Sequence, residues 1–280
     1  PTLTKVTFSG NLAVNGGGGM LIDSSSSTLI NVTFSDNSAE YYGGGMALYN
    51  SSNSTLINTI LWGNSPEGIY FREEDNYPSS ITITYSDIQG GQDSIATNNN
   101  GTVTWGNGNI DVDPMFVDTA NGDYNLLADS RLIDAGHPDS TDGDGTIADM
   151  GAFYYDQTGQ PVRVHNLITT PTADNVSVKW NTNSDAASYN LYRSTDGSAD
   201  FYSLSPFTTA TDTMYVDESV DDNTTYHYRV SAVDSESDEG ILAFADHGRR
   251  GNDTTALSLS LIHISEPTRR TPISYAVFCL

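Results

Sequence analysis

Apolar and polar residues alternate at the start of the chain, and the alternation returns at a fixed distance. TLTKVTFSGNLA at 2–13 comes back as TLINVTFSDNSA at 28–39 and as TLINTILWGNSP at 55–66, offsets of 26 and 27 residues. Leu3, Leu29 and Leu56 fall in one column, Phe8, Phe34 and Leu61 in a second, and Asn11, Asn37 and Asn64 in a third. Between copies, GGGGML at 16–21 recurs as GGGMAL at 43–48, and a fainter copy, ITITYSDIQGG, runs from 81 to 91. Within a copy, Thr4, Val6 and Phe8 alternate with Lys5 and Thr7, a period of two that marks strands rather than helices.

A fixed period in this range signals a solenoid. Strand, turn, strand and turn within about 26 residues make one coil of a parallel β-helix, with coils stacked at about 4.8 Å. Stacking places like residues over one another. The Leu and Phe columns then become interior ladders, and the Asn column a ladder of amide hydrogen bonds at a turn. The Gly runs permit positive φ and close approach of neighbouring coils. FSGN, FSDN and GGGM resemble the repeats of chlamydial polymorphic outer-membrane proteins, within the wider group of bacterial right-handed parallel β-helix surface proteins. YSDIQGG at 85–91, GNIDVDPMFVD at 108–118, DYNLLADSRLIDAG at 123–136 and DGDGTIADMGAF at 142–153 follow in order. That series resembles the C-terminal end of secreted β-helix proteins that carry a choice-of-anchor region. The resemblance covers residues 1–155 and implies an extracellular or bacterial cell-surface location.

Beyond YYDQTGQP at 154–161 the pattern changes to short strands at regular spacing: VSVKW at 176–180, ASYNLYRS at 187–194, TMYVDESV at 213–220 and TTYHYRVSAVD at 224–234. This predicts an antiparallel β-sandwich. Residues 162–246 resemble a fibronectin type III domain, with Trp180 as its core tryptophan and Tyr226 as its tyrosine-corner residue. The fold class is thus all-β: a right-handed parallel β-helix over 1–155, then a fibronectin type III sandwich, then residues 247–280 as a disordered tail.

That tail changes the composition abruptly. LSLIHISEPTR at 259–269 and ISYAVFCL at 273–280 resemble the two ends of a translated short-read sequencing adapter. We expect 259–280 to be read-through, and Cys279, the one cysteine, to have no role. The chain opens inside a strand pattern without an initiator Met, so a fragment of a longer protein is expected. No apolar run reaches the roughly 18 residues of a membrane helix.

The charge excludes some functions. With 11 Lys and Arg against 36 Asp and Glu, the formal net charge is -25. Nucleic acid and anionic membranes are poor partners for such a field. Polysaccharide, or a host or neighbouring-cell surface, is the partner expected for a monomeric scaffold or adhesin-like protein. Many β-helices cleave acidic polysaccharides, so the alternative is a non-catalytic remainder of a larger lyase or glycoside hydrolase. A lyase needs a clustered base, yet Lys5, Arg72 and Arg131 are scattered, and a glycosidase needs converging carboxylates. Glu73, Glu74 and Asp75 read as a solvated charge run, and His137, His165 and His227 give no zinc pattern. No catalytic residue is assigned.

Two features remain as candidate chemistry. HPDSTDGDGTIADMG at 137–151 brings Asp139, Asp142, Asp144 and Asp149 close in sequence around Gly143 and Gly145. Hard cations take several carboxylates on a bendable loop, so these four are candidate calcium ligands; a solvated acidic turn with local hydrogen bonds is the other reading of the same residues, and the favoured one. Tyr41, Tyr42, Tyr49, Trp62 and Tyr70 are candidates for stacking on sugar rings, or for packing on neighbours.

Overall fold

The computed structural model describes residues 1–73 and 76–250. The described chain is all-β and falls into two units, residues 1–142 with 147–155, and residues 143–146 with 156 onward.

In the first unit every predicted column is realised as register. One parallel sheet holds β1 (Thr2–Ser9), β4 (Ser26–Ser35), β7 (Asn53–Ile57), β8 (Ile60–Trp62), β10 (Ser79–Thr84), β11 (Asp87–Ile88) and β12 (Gly101–Trp105). Leu3 pairs with Leu29, Leu29 with Leu56 and Leu56 with Ile83. Phe8, Phe34, Leu61 and Ile88 line up likewise, the two phenylalanine rings stacked at 4.8 Å. A second parallel sheet joins β3 (Met20–Asp23), β6 (Met46–Tyr49) and β9 (Ile69–Phe71). Short β2 (Leu12–Ala13) and β5 (Ser38–Ala39) pair between them. These strands wind about four coils around a core of Leu29, Phe34, Met46, Leu48, Leu56, Ile69, Phe71, Ile81 and Ile83.

The polar columns close the turns. Asn11 Nδ2 donates to Asn37 Oδ1 at 2.8 Å, and Asn37 Nδ2 donates to Asn64 Oδ1 at 2.9 Å. Each long strand bends at one left-handed residue per coil: Lys5, Asn31, Asn58 and Tyr85, with φ between 48° and 55°. Asn tolerates that region; Lys and Tyr rarely occupy it. In the Gly runs, a Cβ at Gly18 would collide with the carbonyl oxygens of Ser38 and Gly44, so the coils stack only because the side chain is absent.

After the hairpin of β13 (Phe116–Asp118) and β14 (Asp123–Leu126), residues 132–142 and 147–155 run along the side of the coils. All four bend residues take part. Asn31 Nδ2 donates to Asp149 O (2.9 Å), and Asn58 Oδ1 accepts from His137 N (2.7 Å). Tyr85 meets the His137 ring at 4.8 Å, and Lys5 Nζ lies 5.5 Å from the Tyr154 ring centre. Gly151, at φ 100°, packs where a Cβ would lie 2.5 Å from Ile60 Cδ1. Past the bends the outward residues Thr33, Ile60 and Asp87 are buried, whereas Thr28, Thr55 and Thr82 before them are half-buried.

The second unit is the predicted sandwich. One antiparallel sheet has β15 (Ile168–Pro171), β16 (Val176–Lys179) and β19 (Met214–Asp217). The other runs in the order β18 (Thr208–Ala210), β17 (Ser188–Ser194), β20 (Thr225–Val233), β21 (Asp246–Arg249). Three strands against four in this order is the fibronectin type III arrangement. Trp180 is buried and edge-on to Tyr189 at 5.4 Å. Tyr226 OH reaches back to Asp221 Oδ2 at 3.1 Å, as a tyrosine corner does. Under the same sheet, Arg193 Nη1 and Tyr228 OH both bond Asp217 Oδ2, at 2.6 and 2.8 Å. The final strand reaches Arg249, three residues past the expected domain end. The adapter-like stretch at 259–280 lies outside the described residues, as do Glu74 and Asp75 of the charge run.

Candidate functional site

Alternation on β3, β6 and β9 sends Met20, Ile22, Met46, Leu48, Ile69 and Phe71 inward. The residues between them must face out. Leu21, Ala47 and Tyr70 form one outer row, and Asp23 and Tyr49 begin a second, continued by Arg72 just past β9. Ala47 is the small member of the first row. Tyr42, from the turn before β6, stacks on the Tyr70 ring at 4.6 Å and 17°, with Tyr41 beside it at 6.0 Å. Tyr70 is thereby buried, whereas Tyr41 stays 53% exposed and Tyr42 44% exposed. The Arg72 guanidinium lies 5.0 Å from the Tyr49 ring centre. Gly16 makes the surface flush, since a Cβ there would lie 2.9 Å from Tyr49 OH. Of the aromatic candidates, Tyr41, Tyr42, Tyr49 and Tyr70 converge here, while Trp62 lies on the other sheet in register with Ser35.

Burial pushes the Tyr49 and Tyr70 phenols above their usual range, so both remain neutral hydroxyls at physiological pH. Asp23 is held below the usual carboxylate range by hydrogen bonds from Asn50 Nδ2 (2.7 Å) and Ser24 Oγ (2.9 Å). An ionised acid of this kind is a hydrogen-bond acceptor and a poor general acid.

The acidic loop divides. Asp139, Asp142 and Asp149 belong to the first unit and Asp144 to the second. Asp149 is buried, and its two oxygens accept from Asp134 N and Tyr155 N, both at 2.7 Å. Burial pushes its carboxyl up to about 8 against the pull of those donors. Asp142 Oδ2 accepts from Asp149 N at 2.6 Å, and Asp144 accepts from the N–H of Thr146 and of Gln157. Asp139 N donates to His137 Nδ1 at 3.2 Å. Three of the four carboxylates act as acceptors for backbone N–H. Among the described residues, no three Asp, Glu, His or Cys side chains come together in a group that could hold a metal ion.

Sequence reasoning missed two arrangements. Asp87 is fully buried, with Oδ1 accepting from Val112 N at 3.0 Å and Oδ2 without a partner. Its position in the column of Thr33 and Ile60 was the available signal. His227 lies directly opposite His247 across β20 and β21, a pairing visible only once the strand register is known.

Comparison with known proteins gives one family match and several partial likenesses to solved structures. Residues 2–130 match the family model described as the right handed beta helix region. No curated protein matches the chain. A solved Fn3-like protein from Clostridium thermocellum is 26% identical, covering 31% of this chain and 86% of that one, with a TM-score of 0.26. The sixth fibronectin type III domain of human fibronectin type III domain containing protein 3 is 18% identical, over 33% of this chain and 87% of that one, at 0.28. A β-1,2-glucanase from Parabacteroides distasonis is 21% identical over 37% of this chain, at 0.28; the match spans only 14% of the glucanase. Within the matched residues, the parallel coil strands run from Thr2 to Trp105.

Proposed function

We propose that the chain is an extracellular or bacterial cell-surface scaffold whose β-helix binds glycan on the face of β3, β6 and β9. The observation that supports this is the exposed Tyr41–Tyr42 pair seated on Tyr70, beside Tyr49, Asp23 and Arg72. The C–H face of a pyranose ring presents weak positive charge to the negative face of an aromatic ring. The phenols, Asp23 and Arg72 offer donors and acceptors to ring hydroxyls. A net charge of -25 repels polyanions, so the substrate class is neutral polysaccharide. In this reading Asp142 and Asp149 fasten the covering segment. The sandwich serves as a spacer, since its fold carries no activity of its own.

Affinity electrophoresis of the full chain in gels containing soluble neutral polysaccharides tests this. Retardation is expected with at least one of them, and Tyr42→Ala weakens it about tenfold, the loss of one stacking contact of about 1.4 kcal/mol. Migration unchanged across the panel, or retardation equal in the variant, would overturn the reading.

A further inference from the structure

The outer face of the second sheet of the sandwich carries a pair of imidazoles. His227 on β20 and His247 on β21 are direct partners in an antiparallel register, their ring centres 5.4 Å apart and their planes inclined by 34°. Residues directly opposite in this way have Cβ atoms about 4.5–5.5 Å apart. A small rotation about the side-chain torsions aims one nitrogen of each ring at a common point. His227 has little freedom to turn elsewhere, because its ring rests on the turn after β17: a Cβ at Gly197 would lie 2.7 Å from its Cε1 and 3.0 Å from its Nε2. His247 is exposed, so the common point opens to solvent.

The neighbours supply negative charge without filling the space. Asp196 and Asp246 both lie within electrostatic reach of His227. Asp196 Oδ1 is held by Ser198 N and Oγ, and Asp246 Oδ2 by Thr169 N, so they stand as outer carboxylates. The nearest cation on the strand, Arg249, turns its Nη2 to Asn223 Oδ1 at 2.9 Å.

We propose that His227 and His247 form a two-imidazole site for a divalent transition-metal ion, with zinc as the probe ion. Imidazole nitrogens suit zinc, copper and nickel, with Zn–N near 2.0–2.1 Å. Two protein ligands leave the remaining positions of a tetrahedral ion to water. The site is therefore an exchangeable one that ties the last strand of the sandwich to its neighbour, in contrast to a closed four-ligand centre. Its ion binds the folded sheet alone, so it stabilises that sheet by mass action.

The test is titration of zinc chloride into the full chain, by calorimetry and by NMR of the imidazole resonances. One zinc ion per chain is expected, with the His227 and His247 resonances shifting together. His247→Gln, a change at an exposed position, and His227→Gln each weaken binding at least about tenfold, the low end of what loss of support to a metal ligand costs. Thermal unfolding of each variant without zinc confirms that it is folded. Absence of binding at millimolar zinc, undiminished binding in His247→Gln, or resonance shifts confined to other residues would overturn the proposal. The last two outcomes would place the ion elsewhere, on carboxylates for instance.

Discussion

Asp87 is the residue least at ease in this molecule. It occupies a rung where the coils above carry Thr33 and Ile60, and it is buried with one oxygen unpartnered. Burial pushes its carboxyl well above the usual range; the N–H of Val112 pulls the other way, and Asp111 and Asp113 add repulsion. Its raised folded value sets the sign. The stability it allows is fully present below the unfolded carboxylate value of about 3.9 and is lost as pH rises through the folded value. Asp87→Asn keeps the acceptor for Val112 N and removes the ionisation. The variant is expected to be more stable than the parent by about 1–3 kcal/mol at pH 8, where burying a charge is most costly, with the gap narrowing towards pH 4. Urea unfolding of both proteins across that range checks it; a gap independent of pH would refute the cause given.

At the scale of elements, the asparagine ladder shows how a repeat becomes a fastening. Asn37 is fully buried and central: its Oδ1 accepts from Asn11 N and Nδ2, and its Nδ2 donates to Asn64 Oδ1 and Phe8 O. Asn37→Ala leaves these buried groups without partners and is expected to cost about 3 kcal/mol or more. Asn11→Ala, at the exposed end of the same ladder, should cost under about 1 kcal/mol. Chemical denaturation separates the two cases, and equal costs would mean that the ladder does not act as a stack. The ladder was legible beforehand because identical residues at a constant offset must superpose in a solenoid. The same logic exposed the Leu and Phe columns; the aromatic residues were legible only as candidates, and the strand register is what sets Trp62 apart from the four tyrosines. It could not expose the covering segment. Asn31 and Asp149 lie 118 residues apart, and no period links them. Nor does Tyr85 declare itself as the fourth bend, since its side chain contradicts the Asn of the two coils before it and its left-handed φ is visible only in the backbone. The four loop aspartates look alike in sequence; burial and N–H donors, properties of the fold, give Asp149 a different character from the others.

At the scale of the whole molecule the dominant quantity is charge. A chain at -25 repels itself in the compact state, and the repulsion between exposed carboxylates is screened over about 10 Å at 0.1 M salt and about 3 Å at 1 M. Most of the charge is solvated surface. Asp217 is an exception. Burial alone would raise its carboxyl, yet hydrogen bonds from Ser219, Arg193 and Tyr228 outweigh burial and hold it below the usual range, and a pair so enclosed is screened little. Added salt should therefore remove repulsion without dissolving the interior ion pair. Raising sodium chloride from 20 mM to 0.5 M is expected to increase the thermal midpoint by several degrees, with each 1 kcal/mol of relieved repulsion worth roughly 2–4 °C in a chain of this class. Exchange of chloride for fluoride at equal ionic strength should give the same shift, because screening depends on ionic strength and not on a bound anion. A midpoint that falls with salt would mean that attractive surface pairs, few as the 11 basic residues are, contribute more than the excess of acid takes away. The choice of neutral over polyanionic glycan would then lose its electrostatic basis, because that choice rests on the same field.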